Sequence, residues 1–334
     1  MRWLSLLNLA ALAVIWLLLS AVSESWWLSS ALTYLPRRPY ALPAGLLLVV
    51  GLFCDRRTFW LSLLAVGLAL GPIAGLRVPI RWSSASGIPS GESGRIKVVS
   101  CNVQNFRPDF PTVMQEVAKQ NPDVVALQEC IEDHPLLAKL FLEWHRLRVG
   151  ELWIGSRYPL RELGRCQTTG FGRRTAIAVL VEAPRRPFVL VNLHLMTPRH
   201  TLRKLSWKGL LTGESIRAIE AMLERRSAEA GETWQFVNRV AADRPVLICG
   251  DFNTPSSSSL YRVYWSDYTN AFDAAGFGYG FTAPCASHRH WPDGLPWIRV
   301  DHILVSSDWR VLWCRVGRTN GSDHRLIAAA LAWP

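Results

Sequence analysis

The stretch PVLICGDFN, residues 245–253, joins a short apolar run to the sequence Gly250-Asp251-Phe252-Asn253. An uninterrupted apolar run of this kind predicts a strand that is buried on both faces, as in the sheets of α/β proteins. Asp251 and Asn253 then stand where a rigid strand gives way to an open loop, and α/β folds carry reactive groups at such positions. Taken alone, the pair also fits an Asx turn.

The same arrangement, an apolar run followed by a polar residue, recurs along the chain. Further buried strands are predicted at residues 95–101, 123–127, 175–181, 188–195, 300–305 and 326–333. Helical spacing predicts helices at residues 111–120 and 213–230. Because strands and helices alternate irregularly, the pattern favours an α/β sandwich over a regular βαβ wheel. The polar residues at or after the strand ends are Asn102, Glu129, His194, Asp251, Asn253, Asp301, Asp323 and His324.

These polar residues are of three chemical types. Carboxylates bind hard cations such as Mg²⁺, Asn amides can orient a phosphate or a water, and His side chains transfer protons near neutral pH. Each has an ordinary alternative: His194 alone would more often be a core histidine, and Asp323-His324 alone would be a turn. The remaining histidines fit no such position and are expected at the surface or in loops: His134, His145, His200, His288, His290 and His302.

Six short motifs carry a family resemblance. They are Ser100-Cys101-Asn102-Val103-Gln104, Leu127-Gln128-Glu129, Asn192-Leu193-His194, Gly250-Asp251-Phe252-Asn253, Val300-Asp301-His302-Ile303 and Ser322-Asp323-His324. In this order the sequence resembles the endonuclease/exonuclease/phosphatase superfamily, of the deoxyribonuclease I-like type, over residues 95–334. The resemblance implies an α/β fold, a four-layer sandwich of two packed mixed β-sheets flanked by helices.

A metal site follows from the resemblance, with Mg²⁺ as the ion and Mn²⁺ as an alternative. Glu129 would be the main ligand, Asn102 would lie beside it, and Asp323 would support the metal or His324. The residue types agree with this expectation, because oxygen donors favour a hard cation. The seven cysteines include no C-x-x-C pair, so the sequence predicts neither a zinc site nor a disulfide framework.

The resemblance also implies a catalytic set. Asp251 would activate or position the attacking water, and Asn253 would hold the phosphate. His324 would contact the scissile phosphate and transfer a proton, with Asp301 orienting its ring. His194 would be a second histidine at the phosphate, as in the deoxyribonuclease-like branch.

Three functions remain open on the sequence. The first is a nuclease-like phosphodiesterase, or endonuclease. The second is a membrane-associated phosphatase or a phospholipase C-type, sphingomyelinase-like enzyme, and the weakest is a non-catalytic membrane scaffold. A basic stretch after His194 could grip a polyanion or an anionic headgroup, although such a stretch is more often a solvated face; it contains Arg199, Arg203, Lys204 and Lys208.

Residues 1–80 are predicted to be a membrane anchor. Three apolar runs, at 3–22, 40–54 and 59–76, have roughly the length of transmembrane helices. A cleaved signal peptide is the alternative for the first run, and a helical hairpin of a soluble core is the alternative for the other two. The Ser- and Gly-rich residues 81–94 predict a flexible linker to a catalytic domain at 95–334, which is expected to fold alone.

The expected partners are a lipid bilayer and a phosphoester substrate, either nucleic acid or a lipid headgroup; no protein partner is indicated. The formal charge of +11 suits such anionic partners without indicating nucleic-acid binding. The expected location is a multi-pass position in a bacterial inner membrane. The arginines flanking the runs count three against four, so the positive-inside rule leaves the orientation open, and an extracytoplasmic catalytic domain is slightly favoured.

Overall fold

Two six-stranded sheets form the C-terminal part of the chain in the computed structural model, which describes residues 1–79, 94–170, 172–285, 294–318 and 321–333. The first sheet contains, from edge to edge, β11 (Arg310–Val316), β12 (Ile327–Ala332), β1 (Arg95–Asn102), β2 (Val124–Gln128), β4 (Leu152–Ser156) and β3 (His145–Val149). The second contains β5 (Leu160–Gln167), β6 (Arg174–Val181), β7 (Phe188–His194), β8 (Val246–Asp251), β10 (Asp301–Val305) and β9 (Thr269–Asn270).

Both sheets are mixed. The pairs β1–β2 and β7–β8 are parallel, and the other ladders are antiparallel. The sheets pack face to face through apolar side chains such as Val98, Phe188 and Ile303, all of which are inaccessible to solvent. Strands buried on both faces must be covered on their outer sides as well, and helices supply that cover.

The first sheet is covered by α5 (Phe110–Lys119) and α6 (Pro135–Leu140), and the second by α9 (Glu214–Ala241) and α10 (Ser259–Trp265). Three short helices complete this part: α7 (Arg199–Leu202), α8 (Trp207–Leu211) and α11 (Ala271–Ala275). The predicted α/β four-layer sandwich is therefore confirmed. The helix predicted at residues 213–230 runs on to Ala241.

Strand register gathers the polar strand ends at one edge of the second sheet. Asp251 on β8 lies opposite His194 on β7 and opposite Asp301 on β10. Residues directly opposite each other in a ladder point to the same face, so these three side chains share one side of the sheet. The strand register therefore positions the three side chains at the centre of the site.

The N-terminal part is a small helical bundle. Its helices are α1 (Arg2–Leu17), which continues through a π-turn and a short 3₁₀ turn to Ser25, α2 (Trp27–Tyr34), α3 (Ala41–Cys54) and α4 (Arg56–Leu68), which continues to Ile73. Among the described residues, Arg2–Ser25 is the one single helix long and apolar enough to cross a membrane. A second candidate exists if α2 and Arg38–Cys54, bent by 99°, are taken as one span.

The predicted runs at 3–22 and 40–54 are thus helical, and the run at 59–76 is helical to residue 73. The third run is not by itself long and apolar enough to be a candidate span. The predicted linker at 81–94 lies outside the described residues except for Gly94.

Candidate active site

Asp251, at the end of β8, is the centre of the polar cluster. Its Oδ1 accepts a hydrogen bond from the backbone N of Asn253 at 2.8 Å, and its Oδ2 accepts from Asn253 Nδ2 and Asn102 Nδ2, each at 3.1 Å. The Nε2 atoms of His194 and His324 both lie 3.7 Å from the same Oδ2. Burial raises the pKa of Asp251, and the charge of His324 opposes that shift. One buried carboxylate oxygen is therefore faced by two imidazoles and two amides.

His324 forms the first carboxylate–imidazole pair. Its Nδ1 lies 2.8 Å from Asp301 Oδ2, and both side chains are buried, which assigns the proton to Nδ1. Burial opposes a charged ring, but the carboxylates of Asp301 and Asp251 outweigh it and raise the pKa of His324 to about 10. The ring is accordingly cationic at neutral pH, with Nε2 directed at Asp251.

His194 forms a second, similar pair. Its Nδ1 lies 2.8 Å from Oε1 of Glu151, which also accepts from Arg173 at 3.4 Å. Burial opposes protonation here too, but the hydrogen bond to Glu151 and the charge of Asp251 raise the pKa of His194. Glu151 was not among the predicted site residues. Two imidazoles, each oriented by its own carboxylate, therefore flank Asp251.

Asn102 and Glu129 lie next to this group. Asn102 Nδ2 donates to Glu129 Oε1 at 2.8 Å and, as noted, to Asp251, so a single amide bridges the two carboxylates. Glu129 adopts a φ of +53°, which is uncommon for a residue with a side chain and is typical of functional positions. Its carboxylate is partly exposed, whereas that of Asp251 is buried.

Asn253 and Asp323 are held by different partners. Asn253, with a φ of +49°, donates from Nδ2 to the carbonyl of Leu195 at 2.8 Å as well as to Asp251. Asp323 pairs through Oδ2 with Arg199 at 3.1 Å, and its Oδ1 is buried without a hydrogen-bond partner among the described residues. The structure therefore places Asp323 on the Arg199 side of the site, whereas Glu129 contacts Asn102.

The donor set fits a hard cation. Oε1 of Glu129 and the buried, unpartnered Oδ1 atoms of Asp323 and Asp301 are oxygens of the kind that Mg²⁺ and Mn²⁺ accept. A buried carboxylate oxygen without a donor is costly, and a cation would compensate it. Asp251, Asp301 and His324 also have polar atoms within 4.8 Å of one another, but a cationic His324 ring has no free nitrogen lone pair with which to bind an ion. None of these three residues is among the predicted metal ligands, which are Asn102, Glu129 and Asp323.

A cleft of about 990 Å³ opens over these side chains. Glu129, Glu151, His194, Asp251 and His324 line its floor. Its other walls include basic residues, namely Arg107, Arg173, Arg199, Lys204 and Arg225. Acidic groups that can hold a cation thus lie beneath a basic rim, an arrangement suited to an anionic substrate. Of the predicted basic stretch, Arg199 and Lys204 line the cleft.

Residues 99–324, more than half of the chain, match the model of the Endonuclease/Exonuclease/phosphatase family. The chain belongs to the endonuclease/exonuclease/phosphatase family. A comparison of the sequence with curated proteins gives no significant match.

Solved structures of this family share its fold. A 3′ phosphatase, NExo, from Neisseria, bound to a product DNA hairpin, is 19% identical, with TM-score 0.51, and the match covers 71% of this chain and 100% of that one. A truncated TDP2 from Caenorhabditis elegans is 17% identical, with TM-score 0.53 and coverage of 71% and 98%. A mannosyl-6-phosphatase from Bacteroides thetaiotaomicron is 14% identical, with TM-score 0.53 and coverage of 71% and 100%.

The predicted location of His302 was wrong. His302 was expected at the surface or in a loop, but it lies in β10 with no solvent exposure. It alternates with Asp301 along the strand and so faces the helical layer, where its ring contacts Phe252 and Tyr261. Its Nε2 donates to the Thr254 carbonyl at 2.8 Å, which supports the loop that carries Asn253.

Burial and the charge of Arg299 lower the pKa of His302 to about 3, so this ring is neutral. The other histidines of that group differ among themselves. His145 and His200 are exposed, as expected, whereas His134 is half-buried and caps α6 by accepting a hydrogen bond from the Leu136 amide. His288 and His290 lie outside the described residues.

Arg226 is a further functional residue that sequence reasoning missed. It is 2% exposed on α9, and its guanidinium donates to the Asn253 carbonyl at 2.8 Å and to Thr254 Oγ1 at 2.6 Å. The same group donates to Glu24 Oε1 at 3.2 Å and to the Tyr34 hydroxyl at 2.6 Å. Arg226 therefore connects the Asn253 loop to the N-terminal bundle.

Proposed function

We propose that this protein is a metal-dependent phosphoester hydrolase, with Mg²⁺ or Mn²⁺ as its ion, and that it works at a membrane. One observation carries the proposal: a buried carboxylate, Asp251, lies between two imidazoles that are each oriented by another carboxylate. This group opens into a cleft with a basic rim. The fold positions these side chains, and the proposed hydrolase function rests on their geometry and not on the fold alone.

Each site residue has a distinct role in the proposed reaction. Asp251 orients the attacking water and accepts its proton, because its carboxylate lines the cleft between the two imidazoles. His324, held by Asp301, presents Nε2–H to a phosphate oxygen, and His194, held by Glu151, does so from the other side. Asn253 contacts the phosphate and keeps the Asp251 carboxylate in place. Glu129 and Asn102 would hold the ion, which supplies charge neutralisation at the phosphate and stabilises the leaving oxygen.

A phosphodiester of nucleic acid is the first substrate candidate, which would make the protein a nuclease-like endonuclease. The size of the cleft, about 990 Å³, and its five basic lining residues support this candidate. The Neisseria 3′ phosphatase, whose structure holds a product DNA hairpin, is consistent with it at the level of the fold alone.

A phosphate ester of a lipid headgroup is the second candidate, as for a phosphatase or phospholipase C-type enzyme. The observation that favours it is the N-terminal bundle, whose bulky apolar side chains point outward: Trp3 is 83% exposed and Phe53 is 86% exposed. An apolar exterior of this kind is suited to lipid and not to water. We therefore propose multi-pass attachment to a membrane, such as a bacterial inner membrane, beside the catalytic domain.

A substrate panel with the full chain tests the proposal. DNA, RNA, a sphingomyelin analogue and inositol phosphates are each incubated with Mg²⁺ and with chelator. We expect metal-dependent release of phosphate or cleavage for at least one class. If no class is turned over while the protein is folded, the non-catalytic scaffold becomes the better account.

Membrane attachment is tested separately by cell fractionation and by N-terminal sequencing of the isolated protein. We expect an intact N-terminus in the membrane fraction, resistant to carbonate extraction. An uncleaved protein in the soluble fraction would exclude the anchor, whereas loss of residues 1–22 by cleavage would favour a signal peptide for the first run.

A further inference from the structure

An apolar cavity of about 270 Å³ lies between the N-terminal bundle and the active site. Its walls include Tyr34 and Leu35 at the end of α2, Leu202 and Leu205 after β7, and Trp297. His324 and Asn253 line this cavity as well as the catalytic cleft, so the two spaces meet at the proposed phosphate position.

The bundle side of the cavity is fixed in place by buried polar contacts. Trp297 Nε1 donates to the Tyr34 carbonyl at 3.0 Å, which joins the two opposite walls. Arg226 donates to both Glu24 and Tyr34, as described above, and Arg37 donates to Ser257 Oγ at 3.0 Å. These groups hold α2 against the catalytic domain, so the cavity is a preformed feature of the junction.

The chemistry of the cavity is divided along its length. Aliphatic and aromatic side chains form most of the body, together with the exposed residue Arg203, whereas the polar groups of Asn253, His324 and Arg199 lie where the cavity meets the cleft. Its volume is well above the ~150 Å³ of an engineered apolar cavity that binds benzene, so it can hold several carbons of a chain. A ligand that satisfies both parts has a phosphate joined directly to an apolar group.

The position of the cavity indicates where such a ligand comes from. The apolar helix Arg2–Ser25 ends two residues before α2 begins, and α2 supplies one cavity wall. A molecule lying in the same bilayer as that helix would reach the active site along α2. A soluble phosphoester would leave the apolar walls hydrated, which contributes nothing to its binding.

We propose that this cavity binds the apolar chain of a membrane lipid phosphoester, so that the first carbons of the chain pack against Tyr34, Leu202 and Trp297 while the phosphate lies at His324 and Asn253. The inference rests on the proposed phosphoester hydrolase function and adds the substrate class. In this arrangement the N-terminal bundle is part of the substrate site as well as an anchor.

The test uses the full chain in dioleoylphosphatidylcholine vesicles and a series of p-nitrophenyl alkyl phosphates, from methyl to butyl to octyl. All members share one leaving group, so kcat/KM reports the contribution of the chain. We expect kcat/KM to rise by up to about fourfold per added methylene and to level off once the cavity is filled. The octyl ester should exceed the methyl ester at least tenfold.

Ala31 lines the cavity on α2, and Ala31→Phe fills it. The variant should lose most of the preference for the octyl ester over the methyl ester. Ala228→Phe, an exposed position on α9, is the matched control and should behave as wild type. Because all three proteins are compared in the same vesicles, partitioning of the octyl ester into lipid is held constant. Leu202→Asn, on a partly exposed wall, should act like Ala31→Phe if the latter folds poorly.

The outcomes separate the two levels of the proposal. Absence of metal-dependent turnover of every alkyl ester and of every substrate in the panel above would overturn the hydrolase function itself. Turnover of a panel substrate with none of any alkyl ester would overturn the chain-binding cavity alone. Turnover that does not change with chain length, or a preference that survives Ala31→Phe and Leu202→Asn, would overturn the chain-binding cavity alone. If Ala31→Phe instead lowers cleavage of a short oligonucleotide while chain length has no effect, the cavity holds a nucleobase, and the lipid inference is wrong.

Discussion

The N-terminal bundle and the catalytic domain bury opposite kinds of side chain. The interior of the catalytic domain contains large apolar residues such as Trp153 and Phe188, which are 2% and 0% exposed. The interior of the bundle contains small and hydroxyl-bearing residues, and Ser5 and Ser62 share a buried hydrogen bond of 3.0 Å between α1 and α4. Leu12, Leu19 and Ile73 are buried there as well, but many of its large apolar residues are exposed, Trp3 and Phe53 among them.

This difference agrees with the membrane attachment proposed for the bundle. In water, burial of large apolar side chains drives folding, and the catalytic domain follows that rule. In lipid, the surroundings are as apolar as leucine, so helices associate through small residues and hydrogen bonds. The proposed attachment would put the bundle in such surroundings. Changes within the catalytic domain should therefore alter chemistry without altering membrane attachment, and changes at the junction should affect both. The predictions below test that division.

Removal of the metal should have the largest effect. Glu129→Gln keeps the shape of the side chain but removes the charge that a hard cation requires, so most activity should be lost at ordinary Mg²⁺ concentrations. Chelation of the wild type should do the same, and both proteins should remain in the membrane fraction. Turnover of a cleaved substrate is measured with and without chelator, and an unchanged wild-type rate would rule out the metal assignment.

The His324–Asp301 pair should give the next largest effect. His324→Ala should reduce kcat by roughly 10²–10⁴, the range for loss of a positioned acid or base. Asp301→Asn should cost less, because the ring remains but loses its orienting charge. Since the two residues act as one unit at 2.8 Å, the double variant should be scarcely worse than His324→Ala. Single losses that multiply in the double variant would mean that the two residues act independently.

The junction should respond in both stability and activity. Glu24→Met leaves the buried guanidinium of Arg226 without its carboxylate, and loss of one partner of a buried pair costs about 3–5 kcal/mol of the free energy of unfolding. Because Arg226 also holds the Asn253 carbonyl, we expect activity to fall about tenfold, an order-of-magnitude estimate from the loss of a buried charge-assisted hydrogen bond.

Thermal unfolding and kcat/KM of the full chain measure the two effects. Arg226→Met should change both quantities. Arg239→Met, on α9 like Arg226 but at an exposed position away from the junction, is the control for a lost arginine and should change neither. A Glu24→Met protein with wild-type stability and activity would show that the bundle is only an anchor. In that case the expectation that residues 95–334 fold alone would gain support.

The sequence predicted the central strands and the residues at their ends, because strands buried on both faces are continuous apolar runs. It did not predict β3, β5 and β11, which form sheet edges and contain charged residues, so their apolar pattern is weak. The short buried strand β4 was also missed, and Glu151, which directly precedes it, was missed with it. A search for carboxylates beside short apolar runs such as Leu152–Ser156 would have found it.

Two further features could not be derived from local patterns. The contact between Glu24 and Arg226 joins residues about 200 positions apart, and neither residue has a neighbour that indicates the other. The length of α9 was underestimated because Gly231 follows the predicted end, and glycine is a poor helix former. An added Cβ at Gly231 would meet the Tyr264 hydroxyl at 3.2 Å, so close packing of α10 favours glycine inside the helix.

The smallest expected effect concerns acid stability, which should reside in the catalytic domain and not in the bundle. His302 is neutral in the folded protein because its pKa is lowered to about 3, whereas in the unfolded chain it titrates near ~6.5. Below that pH the unfolded state takes up a proton that the folded state does not, so the free energy of unfolding falls by about 1.4 kcal/mol per pH unit. His324 has the opposite sign: its raised pKa gives a stabilisation that is fully present below pH ~6.5 and is lost progressively as the pH rises from there to about 10. Between pH 6.5 and 5, above the range of ordinary carboxylates, the slope of stability against pH reports on His302 and on Asp251, whose raised pKa acts in the opposite direction. The change in slope between the wild type and a His302 variant isolates the contribution of His302. We expect His302→Asn to lower the unfolding midpoint at pH 7 but to flatten this slope, whereas His145→Asn, at an exposed position, should change neither. An unchanged slope in His302→Asn would mean that the ring is charged, or solvated, in the folded protein.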